Sequence, residues 1–251
     1  MTIDYVEITD PDSDEIVQFH DVLIEAFPDP YGREDIAILR RNLREGSWTS
    51  ENGVCRYHLI VARWSDQVIG GTSFYLLSRR GEVCLAPIAL GIGSYLAVKR
   101  KFRRNGIGTK LIAIRDQILS RDARELNCYL RGLIIQVNDP ALMSVEEIEQ
   151  DSMNPWEREK FWKRRGYKKI DFSFIQPSIR KGEPPIEYLS LRIFPYCPQW
   201  DNMERMSRAD LRDIVDGFIK CTGTPGPAEA DPSYLRMKSG LAAQEHFEVL
   251  F

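Results

Sequence analysis

The stretch from Ser94 to Leu119 limits the folds open to this chain more than any other part of it. Tyr95-Leu96-Ala97-Val98 is a short apolar run that predicts a strand. A basic turn follows, Lys99-Arg100-Lys101-Phe102-Arg103-Arg104-Asn105, and then Gly106-Ile107-Gly108-Thr109. Beyond the glycines, Ile107, Leu111, Ile114 and Ile118 recur at helical spacing, which predicts a helix from about Gly108. The first amides of a helix have no partner inside it and point at whatever lies in front. Glycine lets the backbone approach a bulky anion where a Cβ would block it. Arginine adds forked donors suited to phosphate oxygens. Together these features read as a pyrophosphate cradle. The bland alternative is a basic surface turn that caps a helix, and the motif alone does not choose between them.

Totals exclude several classes. At 251 residues the chain holds one large domain, or one domain with an appended piece. A net charge of −3 argues against a general nucleic-acid binder. No apolar run approaches the ~20 residues that span a bilayer, and the opening MTIDYVEITDPDSDE is acidic where a secretion signal is basic. The expectation is a cytoplasmic protein with neither membrane nor nucleic-acid partners. The five cysteines are scattered and the three histidines stand far apart, so the sequence gives no metal signal.

Along the chain, residues 1–10 predict a strand. Asp12 with Glu15 predicts a capped helix with Ile16, Phe19, Leu23 and Phe27 on one face. After the Pro28–Gly32 turn comes a shorter helix ending at Gly46. Residues 57–64 and 68–77 predict a hairpin about Ser65-Asp66-Gln67, with Gly70 and Gly71 marking a bulge or a close backbone approach. Residues 78–93 read as an irregular connection. Tyr129 to Val137 predicts a buried strand. An acidic segment follows, with Glu146, Glu147, Glu149 and Asp151, either over an acceptor cleft or a solvated helical face. Asn154-Pro155-x-Glu157 is a helix start, and that helix ends at Gly166. Strands near 168–175 and 186–194 flank a Gln176–Pro185 hairpin. After an irregular stretch to Arg205, Ser207 and Asp210 cap another helix. Residues 221–231 read as a linker, and a short last helix starts at Pro232. The closing Glu248-Val249-Leu250-Phe251 looks like part of a protease site used in expression tags and is set aside.

The spacing Arg103-x-x-Gly106-x-Gly108 resembles the acyl-coenzyme A signature of the GNAT superfamily of N-acyltransferases. Lys160-Phe161-Trp162-Lys163-Arg164-Arg165-Gly166-Tyr167 resembles the end of a later family helix, and Asn138 stands where members carry an asparagine after the fifth strand. The element order over residues 1–194 is similar as well. The resemblance implies an α+β fold in α/β/α layers, with a mixed, mostly antiparallel sheet whose fourth and fifth strands splay apart. It implies a GNAT acyltransferase domain over residues 1–194 and a helical C-terminal extension over 195–251, packed on that domain or on a second subunit, so that a homodimer is open.

The same resemblance implies roles. Leu96, Ala97 and Val98 would present backbone to the pantetheine arm and thioester. Arg103, Arg104, Asn105, Gly106, Ile107, Gly108 and Thr109 would hold the pyrophosphate. Asn138 would bond the pantetheine arm, and Phe161 and Trp162 would line the thiol end. Trp162 replaces the tyrosine that often protonates the leaving thiolate, and tryptophan has no titratable hydroxyl. Asp139, Glu147 and Glu82 are the candidate bases, and Ser94 and Tyr95 could orient a water instead. The expected reaction is acetyl transfer from acetyl-CoA, or another acyl-CoA, to a primary amine of a small molecule or peptide, with no metal. Two alternatives stay open. A longer-chain acyltransferase could draw on acyl carrier protein, since every position from Lys99 to Arg104 except Phe102 is cationic. A non-enzymatic acyl-CoA-binding module is the other.

Overall fold

The computed structural model describes residues 2–50, 53–79, 87–178, 183–221 and 232–250. Two compact units divide the chain, Met1–Leu130 and Arg131–Phe251.

In the first unit, four strands pair in the order β1 (Asp4–Glu7), β3 (Gly53–Trp64), β4 (Gln67–Arg79) and β5 (Ile88–Val98), and every pairing is antiparallel. A short β2 (Ser47–Ser50), absent from the sequence expectation, pairs with the start of β3. The β3–β4 hairpin turns through Ser65, whose φ is 53°. β5 begins seven positions earlier than expected, at Ile88 rather than Tyr95. Gly91 and Gly93 disguise it, because glycine weakens a strand's local signal. Its register against β4 supplies what propensity does not, with Leu77 opposite Leu90 and Leu76 opposite Gly91.

Helices cover both faces of this sheet. On one lie α1 (Asp14–Ala26) and α2 (Ile36–Glu45). Ser13, not Asp12, caps α1, its side chain accepting from the Glu15 amide. The residues Ile16, Phe19, Val22, Leu23 and Ala26, three or four apart, turn one stripe of α1 inward. Phe19 sits so close to Gly71 that a Cβ there would come within 2.7 Å of its ring, and one on Gly70 within 2.8 Å of the Ala97 carbonyl oxygen. The expected close approach is therefore present, and a bulge lies opposite it at Ala62/Arg63. The other face carries α3 (Ile107–Glu125), with Ile107, Leu111, Ile118 and Leu119 buried.

The second unit pairs β6 (Tyr129–Asn138), β9 (Ile186–Pro195), β7 (Lys168–Ile170), β11 (His246–Leu250) and β10 (Arg205–Ser207) in that order, with β8 (Phe174–Gln176) also on β9. The single strand expected near 168–175 is thus two, parted by residues 171–173. Two helices precede β7: α4 (Val145–Gln150), built from the acidic segment, and α5 (Pro155–Arg164), capped as expected by Asn154. The stretch expected to be irregular holds α6 (Pro198–Asp201) and β10. Ser207 and Asp210 open α7 (Arg208–Cys221), and α8 (Pro232–Ala242) packs near β8. The expected linker at 222–231 lies outside the described residues.

The closing residues require a correction. They are β11, hydrogen-bonded between β7 and β10 with Phe247 and Val249 buried, so they belong to the fold and are not an appendage. Alternation of buried and exposed residues from His246 to Leu250 is the pattern of a strand with one covered face.

Candidate active site

β5 delivers the chain into the basic turn. Opposite it, Ser73 pairs with Tyr95 and Phe74 with Gly93, so Ser94 is the extra residue of a β-bulge. The Thr72 hydroxyl donates to the Tyr95 carbonyl at 2.8 Å and pins that bulge. Beyond it Ser94, Leu96 and Val98 are half-buried while Tyr95 and Ala97 are buried. One edge of each pleat is therefore open from the bulge to the end of the strand.

The turn itself is anchored so that its cations are left outside. The Lys99 amide donates to the Ile69 carbonyl at 2.9 Å, and Arg103 Nε donates to the Val98 carbonyl at 3.0 Å. Phe102 is buried with its ring 5.6 Å from that of Trp64. Arg100, Lys101 and Arg104 stay exposed. Arg104 and Gly106 both have positive φ, 65° and 75°, which wraps the backbone around the helix head. The helix starts at Ile107, one residue earlier than expected, with Gly106 as a cap that offers no side chain. Ile107 and Gly108 are in the first turn, where amides have no carbonyl behind them.

The two glycines of this turn differ in kind. Gly106 is required by its positive φ. Gly108 has no such φ, and a Cβ built on it would meet nothing within 4 Å among the described residues. Packing within the protein therefore does not explain Gly108. An anion drawn close to the backbone does, and the residues present fit a diphosphate: open space, first-turn amides, a helix dipole and exposed cations.

In the second unit, Asn138 Nδ2 donates to Asp151 at 3.1 Å, and Asp151 in turn holds Arg158 through both guanidinium nitrogens. Phe161 is half-buried with Arg165 4.6 Å above its ring, and Trp162 is buried edge-on to Tyr167. The candidate bases are otherwise engaged. Asp139 is 2% exposed, pairs with Lys169 and accepts from the Ala141 amide, which is a turn-holding arrangement. Glu147 closes a capping box with Ser144 at the head of α4. Glu82 lies outside the described residues.

A carboxylate that the sequence did not single out stands in the first unit. Glu34, between the Pro28–Gly32 turn and α2, is 3% exposed. Its amide donates to the Tyr95 hydroxyl at 2.9 Å. Among the described residues its carboxylate has no hydrogen-bond or ion-pair partner. Burial pushes that carboxyl up to about 8, against a smaller opposing pull from Arg41. Around it the strand register places hydroxyls on one sheet face. Tyr57 lies opposite Tyr75 and Ser73 opposite Tyr95, and residues two apart share a face. Tyr75 accepts from Asn42 at 2.8 Å. The Tyr57 and Ser73 hydroxyls are buried side by side and have no partner beyond each other among the described residues. Burial, then the Glu34 charge, raises Tyr57 and Tyr95 well above the usual phenol. In the sequence Glu34 is one charged residue among several after the Pro28–Gly32 turn. Its proximity to P-D-P-Y-G was visible, but its burial was not.

A bulged strand that runs into a basic glycine turn, with a helix head open to an anion, defines an α+β protein with an anion-binding turn. The sequence matches the model of the acetyltransferase (GNAT) family over residues 16–141, half of the chain, and the protein belongs to that family. A comparison with curated proteins gives no match. Among solved structures, a protein assigned to the GNAT acetyltransferases from Bacteroides thetaiotaomicron aligns over 88% of this chain and 98% of its own, with 17% identity and a TM-score of 0.52, and shows the shared fold. An aminoglycoside 6'-N-acetyltransferase complexed with coenzyme A aligns over 79% of this chain and 98% of its own at 13% identity and a TM-score of 0.45. The fold class expected from the sequence, α+β with a mostly antiparallel sheet, is that of the family. Among the described residues no helix is long and apolar enough to cross a membrane.

Proposed function

We propose that the protein is an acyl-CoA-dependent N-acyltransferase, and that it moves an acetyl group from acetyl-CoA to a primary amine of a small molecule or peptide in a ternary complex. Gly108 carries this reading, because the room in front of it serves no packing purpose inside the protein. In that complex Arg104, with the amides of Ile107 and Gly108, would hold the diphosphate. Leu96 to Val98 would lie along the pantetheine arm, and amide groups at the Ser94 bulge would face the thioester oxygen. Asn138, steadied by Asp151, and the Phe161–Trp162 pair are assigned to the arm and the thiol end by their likeness to the family's positions. A thiol of pKa near 8.5 departs as thiolate close to neutrality, so Trp162 in place of a tyrosine does not forbid the reaction.

Calorimetric titration with coenzyme A tests the reading. Binding is expected in the wild type and its loss in Gly106→Asp, which puts a negative charge and a strained φ at the anion site. Gly108→Ala separates binding from folding. Alanine favours a helix over glycine by about 1 kcal/mol, so this variant should unfold later in urea while it binds coenzyme A about tenfold more weakly. A more stable Gly108→Ala with undiminished affinity would reject the cradle.

A further inference from the structure

We propose that Glu34 takes the proton from the acceptor's ammonium group, and that the Tyr57 and Ser73 hydroxyls hold the amine nitrogen beside it. The assignment rests on the acyltransfer reading above and extends it to the acceptor side. A layer between helices and a sheet is normally apolar, and a polar group buried there without a partner is costly. Here the Glu34 carboxylate, from a loop, is buried within reach of the Tyr57 hydroxyl, which among the described residues has only that of Ser73 beside it. An ammonium suits all of them together, since it donates to the carboxylate and to both hydroxyl oxygens.

The cluster also stands where the chemistry must occur. Tyr95, whose hydroxyl accepts from the Glu34 amide, follows the Ser94 bulge directly. Four residues, about 13 Å of strand, separate that bulge from Val98 at the edge of the basic turn. A ligand anchored at Gly106 and extended along this strand brings its far end to the bulge. An alkylammonium has a pKa near 10 and cannot attack until it loses a proton. A carboxyl displaced upward by burial is a better-matched acceptor than an ordinary one. Arg41 of α2, Tyr57 of β3 and Tyr95 of β5 feel its charge, and His20 of α1 meets its backbone, with Arg33 and Asp35 acting on His20 and Ser73 on Tyr57.

The step balances. One ammonium proton passes to the Glu34 carboxylate, and the amine nitrogen forms a bond to the thioester carbonyl carbon. The C–S bond breaks with its electron pair on sulfur, and the second nitrogen proton leaves to the thiolate. Glu34 then returns its proton to solvent.

Two measurements test this, one independent of turnover. In protein labelled with 13C at the glutamate carboxyls, one resonance should titrate near pH 8 and be missing in Glu34→Gln. If every glutamate titrates in the ordinary range, the proposal is overturned. Thiol release from acetyl-CoA is then followed with spermidine, kanamycin, lysine and a peptide with a free N-terminus. For acceptors that react, Glu34→Gln should lower kcat/KM at least 100-fold and flatten its rise toward pH 8, with coenzyme A affinity and fold unchanged. Glu34→Asp should recover part of the rate with the limb restored, and Tyr57→Phe should raise the acceptor KM about tenfold. A Glu34→Gln protein with wild-type kinetics overturns this proposal alone. A wild type that neither binds coenzyme A nor releases thiol overturns the acyltransfer reading, and the Glu34 assignment with it.

Discussion

The two faces of the first unit's sheet treat buried charge in opposite ways. Under α3, His58 lies between Asp122 and Glu7, with its ring nitrogens 2.8 and 2.6 Å from their carboxylates, and its ring stacked on Phe74. Arg121 and Arg56 complete the surroundings of Asp122, which is fully buried. Every polar group there has a partner within the chain. Under α1 and α2, Tyr57 and Ser73 have only each other and the Glu34 carboxylate has no side-chain partner among the described residues. A satisfied network fixes structure. An under-satisfied one costs stability, so the two faces should answer mutation with opposite signs.

Breaking the scaffold face should give the largest effect. Asp122→Ala leaves His58 and Arg56 without their buried carboxylate and should cost about 3–5 kcal/mol in urea unfolding, with coenzyme A affinity intact. Its pH dependence follows from the shifts. His58 is raised despite its burial, because hydrogen bonds to Asp122 and Glu7 hold its charged form. That stabilisation is complete below 6.5 and fades as pH rises through the folded value. Glu7 is lowered, chiefly by the His58 hydrogen bond, and Asp122 is lowered by His58 and Arg121 against its burial. Their contributions are present above 4.5 and 3.8 and fade as pH falls through the folded values. The stability gap between wild type and Asp122→Ala should therefore be widest between those limits, near pH 5–6, and narrow on either side.

The site face should respond with the opposite sign. Glu34 is raised, so the unfolded chain gives up its proton first, and the folded state loses stability from 4.5 upward until pH passes about 8. Glu34→Gln should leave stability unchanged at pH 4 and increase it at pH 8, by up to a few kcal/mol at about 1.4 per unit. The smallest effect belongs to Tyr57→Phe, which removes a buried hydroxyl that only Ser73 offsets and keeps the ring. Thermal unfolding should show a gain of about 1 kcal/mol. A loss in either variant would place these groups with the scaffold and dissolve the distinction.

Much of this was readable in the residues. Punctuation carries the chain's local logic: Gly46 and Gly166 end helices at positive φ, Asn154-Pro155 starts one, and the Gly106-x-Gly108 turn sits at the head of α3. What escaped depends on pairing. β2 and the first half of β5 are strands because β3 and β4 hold them, and β11 because β7 and β10 do. Glu34 escaped for a related reason, since nothing local marks a surface-type residue that a distant tyrosine hydroxyl draws inward. Asp139 and Glu147 drew notice by their place in sequence and turn out to be occupied with a turn and a cap.

The position of β11 bears on how the chain is born. β7 makes its second set of strand bonds, and β10 its only ones described, with residues 246–250. During synthesis the first unit can finish its sheet while the second still waits, its interior strands bare, until those residues clear the ribosome. The emergence of those residues, not that of the helices before them, is then the moment at which that half becomes safe from aggregation.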